Sequence, residues 1–115
     1  MYRVLKRDGS MMEFHIAKIG NAITKAFEAV GRQYHPSVIE LLALRVTAEF
    51  EPKIRNDLIS VEDIQDCVER VLSEAGYSDV AKAYILYRKQ REKLRNVGST
   101  LLNYKELVDN YLRIN

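Results

Sequence analysis

The sequence predicts a mostly helical α+β domain. Apolar residues recur at helical spacing in four successive segments between Ile16 and Asn96. Glycine or proline stands at the joints between them, as Gly31, Pro36, Pro52 and Gly76. Ahead of the helices, Tyr2 to Phe14 is a short strand-forming stretch interrupted by Asp8-Gly9.

Tyr2 to Arg7 reads as a strand, Asp8-Gly9 as a type I′ hairpin turn with positive φ at both positions, and Ser10 to Phe14 as a second strand. Val4 and Lys6 then share one strand face, and Leu5 and Arg7 the other. Ile16 to Val30 follows as a helix whose apolar stripe is Ile16, Ile19, Ile23, Ala26, Phe27 and Val30, stopped by Gly31. Pro36 suits a first helical turn, and Val38, Leu42, Val46 and Phe50 carry a second helix to about Glu51. Leu58-Ile59 is a candidate third strand. Ser60-Val61-Glu62-Asp63 has the form of a capping box and opens a third helix with Ile64, Val68, Val71, Leu72 and Ala75 inward. Ser78 is expected to cap a fourth helix from Asp79 to about Asn96, with Val80, Ala83, Tyr84 and Tyr87 facing the core. Val97-Gly98-Ser99 breaks the pattern, and Asn103 to Leu112 suits a short fifth helix. The apolar residues from Leu101 to Ile114 suggest a chain that leads into another domain; a tail docked on its own core is the alternative.

Composition bounds the function. A length of 115 residues suits one core, and 47% hydrophobic with 30% charged residues is ordinary for a globular protein. No apolar run approaches the roughly 18 residues of a membrane span. Met1-Tyr2-Arg3-Val4 lacks the apolar region of a secretory signal. A cytoplasmic location and no membrane partner are therefore expected. A single cysteine, Cys67, excludes an internal disulfide and any multi-cysteine metal site. It lies on an amphipathic helix and reads as a buried structural thiol. His15 and His35 are too few and too separate for a zinc site. There is no P-loop and no GxGxxG, and Glu62, Asp63, Asp66 and Glu69 suit a helix N-terminus better than an acid–base pair. Neither a catalytic constellation nor a metal held by protein ligands is expected.

The net charge of +2 conceals a division. Residues 49–79 carry nine acidic and three basic side chains, whereas residues 82–95 carry six basic and one acidic. Three cationic constellations could grip an anion. Lys6 and Arg7 sit against the Asp8-Gly9 turn, where a lysine supplies a point charge, an arginine a bidentate fork, and the turn its amides. His15, Lys18, Ile19 and Ala22 fall at i, i+3, i+4 and i+7 on one helix face, with room for phosphate or ribose at one end and a base at the other. Tyr84, Arg88 and Arg91, beside Tyr87 and Lys89, combine an aromatic face with arginines. Core tyrosines with a solvated basic flank are the plainer reading of that last group.

Together these residues resemble the ATP-cone, the nucleotide-sensing domain of ribonucleotide reductases. The resemblance is carried by Val4-Leu5-Lys6-Arg7-Asp8-Gly9, Phe14 with Lys18-Ile19 and Ala22-Ile23, Ile59 to Asp66 with Val68-Glu69, and Ala81 to Arg91. It covers about residues 2–95. Tyr104 to Leu112 is similar to the segment joining this domain to the catalytic body in the anaerobic, glycyl-radical class. The resemblance implies a four-helix bundle covered by a small three-stranded sheet, with residues 1–95 as the cone and 96–115 as a linker or short helix. It implies ATP as activator and dATP as inhibitor, with Mg2+, and a catalytic domain of the parent chain and other reductase subunits as partners. The nucleotide-binding role carries over to Val4, Leu5, Lys6, Arg7, Lys18, Ile19 and Ala22, and extends to His15, where some members have Asn. Glu13 and His15 are the candidates for sensing the 2′-hydroxyl. Some members place Thr at Val61 and His at Gln65; both differ here. Tyr87, Arg88, Lys89 and Arg91 match in type and would close a third side of the pocket. The same cone occurs behind a zinc ribbon in a transcriptional repressor, and a helical protein-interaction domain is a further alternative. With one cysteine and no ribbon, nucleic acid is not an expected partner.

Overall fold

Val4, Met12 and Ile59 stand at the middle of three short strands, and their register sets the architecture. The computed structural model of the protein describes residues 2–93. Strand β1 (Arg3–Leu5) is central in a sheet of order β2-β1-β3. It runs antiparallel to β2 (Met11–Glu13), with Val4 opposite Met12, and parallel to β3 (Leu58–Ser60), with Val4 opposite Ile59. Helices α1 (Ile16–Ala29), α2 (Pro36–Phe50) and α3 (Val61–Glu74) follow the spacing of their apolar residues, with a 3₁₀ turn at Glu51–Lys53 where Pro52 ends α2. A fourth helix, α4, occupies 78–93. Four helices and a three-stranded sheet are the predicted α+β class. Val97-Gly98-Ser99 and the Asn103–Leu112 segment lie outside the described residues. The boundary between two compact units falls inside α4, after Ile85.

The strands are three residues long, shorter than expected, and the first turn differs in kind. Lys6 N donates to Ser10 O (2.8 Å) and Gly9 N to Lys6 O (3.0 Å), enclosing a three-residue loop. Only Gly9 has positive φ (87°); Asp8 does not. The connection is therefore not a two-residue type I′ turn but a three-residue loop, a β-turn over Lys6 to Gly9 that ends in the left-handed glycine. The reason is local: the Asp8 carboxylate accepts from Ser10 N–H (2.9 Å) and Ser10 Oγ–H (2.6 Å), a side-chain bridge that fixes the backbone at Asp8. Those hydrogen bonds, the hydroxyl's foremost, hold the Asp8 carboxyl below the usual carboxylate range. Their stabilisation is present above the ordinary carboxylate pKa and is lost as pH falls through the depressed value. A two-residue hairpin with positive φ at both positions does occur, at Asn56 (53°) and Asp57 (57°), closed by paired bonds between Arg55 and Leu58 of 3.0 Å each.

The helix ends follow their chemistry. Gly31 (φ 67°) terminates α1, with Arg32 N returning to Phe27 O at 3.0 Å, and Gly76 (φ 89°) terminates α3, with Tyr77 N returning to Leu72 O at 2.9 Å. Ser60 caps α3, its Oγ accepting from Asp63 N at 3.1 Å. Ser60→Ala is expected to cost about 1 kcal/mol, seen as a lowered urea midpoint at unchanged slope. At α4 the boundary is Tyr77 rather than Ser78, because Ala81 N donates to Tyr77 O at 2.9 Å.

Within the first unit the inward faces of all four helices and the sheet share one core. Ile23, Phe27, Val46, Phe50, Val68, Val71, Leu72 and Val80 are fully buried, with Val4 and Ile59 contributed by the sheet and Tyr84 by α4. Ala81 rather than Ala83 is the more buried alanine. Tyr2, Phe14 and Phe50 form a three-ring cluster, with centroids 4.9–5.9 Å apart. It ties the start of β1 and the β2–α1 junction to the end of α2. Cys67 is fully buried, and burial pushes its thiol pKa up against the smaller pull of Lys53 and Arg70. A thiol-specific reagent is expected to label it only on unfolding; rapid stoichiometric labelling of the native protein would overturn that placement. Among the described residues no helix is long and apolar enough to cross a membrane.

Candidate functional site

The parallel pairing of β1 with β3 governs the site. With Leu5 opposite Ser60, the Lys6–Arg7 loop emerges beside the N-terminus of α3. Arg7 crosses that gap: its Nε stands 3.0 Å from Glu62 Oε1, and its Nη2 donates a long hydrogen bond of 3.4 Å to Gln65 Oε1. Arg7, Val61 and Gln65, far apart in sequence, are thereby gathered at one end of the sheet. Val61 is the first residue of α3 and, like Gln65, is half-buried. Val4 is buried beneath the loop, Leu5 is half-buried, and Lys6 is exposed.

A second piece comes from α1. Lys18 is exposed, and its Nζ reaches Met12 Sδ at 3.8 Å. Met12 pairs with Val4, two residues before Lys6, so Lys18 lies over the strand pair that ends in the cationic loop. Ile19 is buried and Ala22 half-buried, which gives the apolar end of that helix face its expected character. Glu13 and His15 are exposed neighbours, with Oε2 and Nε2 3.9 Å apart.

The three described helix starts with assigned caps differ in a way that bears on charge. At α3, Ser60 caps the end, and Glu62 and Asp63 occupy the first turn, as the helix dipole favours. At α2, His35 Nδ1 accepts from Ser37 N at 3.1 Å. At α1, His15 holds the N-cap backbone with no side-chain cap bond, and no acidic residue stands in the first turn. Lys18 stands there instead, a cation at the positive end of the dipole. That is electrostatically unfavourable by itself and becomes favourable once an anion sits between the amides and the ammonium.

The third constellation lies beyond Ile85, in the second unit. There Arg91 Nη1 donates to Tyr87 Oη at 3.3 Å, and its guanidinium carbon stands 5.8 Å from the Tyr87 ring centroid. Arg88 and Lys89 occupy the intervening turn. Tyr84 belongs to the core of the first unit and offers no open face for stacking. Sequence reasoning missed two participants. Glu62 read as a helix-start acid, since its partner lies 55 positions away by sequence number, and Met12 read as a strand residue. Only the register of β1 with its two neighbours brings either to the site.

A family model described as the ATP cone domain matches residues 2–93. The chain belongs to the ATP-cone family. This cone is 39% identical over 99 residues to the vitamin B12-dependent ribonucleoside-diphosphate reductase of Mycobacterium tuberculosis, covering 86% of this chain and 14% of that protein. It is 40% identical over 98 residues to the ribonucleoside-diphosphate reductase subunit alpha of Chlamydia pneumoniae, covering 80% and 9%. It is 37% identical over 100 residues to the anaerobic ribonucleoside-triphosphate reductase of Haemophilus influenzae, covering 87% and 14%. The chain thus spans only about a seventh or less of the length of these relatives. The likeness reaches reductases of three kinds, so a cone of this type is not peculiar to the anaerobic one.

Proposed function

We propose that this cone is an allosteric domain that binds ATP as activator and dATP as inhibitor, and thereby sets the activity of a cytoplasmic ribonucleotide reductase. The observation that carries the reading is the start of α1: an N-terminus without a side-chain cap or first-turn acid, with Lys18 laid over the strands that lead to Lys6 and Arg7. Those groups suit a polyphosphate. Ile19 and Ala22 supply an apolar wall for a base, and Glu13 with His15 supplies polar groups for the ribose, where the two effectors differ by one hydroxyl. Val4, Leu5, Val61 and Gln65 frame the phosphate end, and the resemblance to the family extends a nucleotide-binding role to Tyr87, Arg88, Lys89 and Arg91. Mg2+ would arrive on the phosphates.

In this reading residues 1–95 are the sensor and 96–115 lead toward the catalytic domain of the parent chain. Regulation follows from a difference in affinity: each effector favours a different arrangement of the cone against that domain and the other subunits. The assignment to an anaerobic parent rests on Tyr104 to Leu112, since identities of 37–40% to three reductase kinds do not separate them. Calorimetric titration of the chain with ATP and with dATP tests the proposal. Saturable heat without nucleotide turnover is expected; no saturation at millimolar ligand would sink it.

A further inference from the structure

We propose that the Glu62 carboxylate competes with effector phosphate for Arg7 and so sets how tightly the cone holds its nucleotide. The inference rests on the nucleotide reading above. Glu62 Oε1 lies 3.0 Å from Arg7 Nε, and the two side chains keep 43% and 27% of their exposure. Carboxylate and phosphate oxygens recognise the same guanidinium edge in the same geometry. Occupation of that edge by one excludes the other.

Two further observations single out Glu62. The start of α3 already has the Ser60 cap and a second first-turn acid, Asp63, so local helix chemistry does not depend on Glu62. Glu62 is also the residue that the β1–β3 register delivers to the loop, two positions beyond Ser60, which stands opposite Leu5. The carboxylate therefore acts as an internal stand-in anion. It keeps the guanidinium placed and charge-balanced, and it yields to a ligand of higher charge. A half-exposed pair is weak enough to be displaced, so the competition lowers effector affinity by a modest factor and does not abolish binding. Gln65, which accepts from Nη2 of the same guanidinium, remains as a guide when Glu62 lets go.

The test is a calorimetric ATP titration of the 115-residue chain in four forms: unchanged, Glu62→Gln, Arg7→Ala, and both together. Glu62→Gln is expected to tighten binding about two- to fivefold, and the gain to vanish in the Arg7→Ala background. Glu74→Gln removes the same charge twelve residues along α3, about 18 Å away. That exceeds the Debye length of about 10 Å at 0.1 M salt, so it should change affinity less than about twofold. Unchanged or weaker binding by Glu62→Gln overturns the inference, weaker binding meaning that Glu62 holds the effector. An equal gain with Arg7 absent also overturns it, by reducing the effect to net charge. Should Glu62→Gln melt far below the parent, Glu62→Ala carries the same comparison. No saturable binding by the unchanged chain would instead sink the nucleotide reading itself, so the two failures are distinguishable.

Discussion

Replacing Lys6 and Lys18 together by alanine is expected to weaken ATP binding about 10²- to 10⁴-fold while leaving the fold intact. The estimate follows from the interaction type. A charge-assisted hydrogen bond to phosphate contributes roughly 1.5–3 kcal/mol, and each 1.4 kcal/mol is about tenfold in affinity. Both side chains are exposed and neither belongs to the core, so the thermal midpoint should move little. Lys18 is the more telling of the two, because its removal also relieves an unfavourable cation at a helix N-terminus. A slightly raised melting temperature with lost binding would be the signature of a residue kept for a ligand at the expense of its helix. Unchanged affinity in the double variant would remove both residues from the site.

Phe50→Ala is expected to have the largest effect on stability. Phe50 is fully buried at the end of α2 and packs edge-on against Tyr2 and Phe14, at 5.9 and 5.5 Å. Truncating a core phenylalanine costs about 3–5 kcal/mol through lost transfer energy and the residual cavity. For a domain of this size each kcal/mol lowers the midpoint by about 4–8 °C, so a fall of more than about 12 °C is expected by calorimetry or circular dichroism. Phe14 immediately precedes His15 at the start of α1, so the loss should also loosen the placement of Lys18. Leu41→Ala is the contrast: Leu41 is 58% exposed, and its loss should stay within about 0.5 kcal/mol. A small change at Phe50 would mean that the three-ring cluster is not part of the core.

The helices were legible because their apolar spacing repeats over several turns. Ile16 and Pro36 open α1 and α2 as predicted, and the far ends agree to within a residue. The strands were harder, because three residues are too few to display a period of two, and Tyr2 and Phe14 are drawn into ring packing instead. The turn at Asp8-Gly9 was located but mistyped. That dipeptide serves two turn types, and the choice falls to a side-chain bridge to Ser10 that no dipeptide signature contains. His35 as a helix cap escaped notice because histidine is not among the usual capping residues. Of the candidate site, Lys6, Arg7 and Lys18 stood out by charge at a turn and a helix start. The Arg7–Glu62 pair stayed hidden, since it depends on parallel pairing of strands 55 positions apart.

The bare N-terminus of α1 also sets a limit on improving this domain by design. An engineer seeking heat resistance would place aspartate at His15 and expect about 1 kcal/mol from the new cap. On the nucleotide reading proposed above, that substitution would put a fixed negative charge beside the α1 amides assigned to the effector's phosphates. The cone would then be sturdier and deaf to its signal, a trade between durability and responsiveness written into one helical turn.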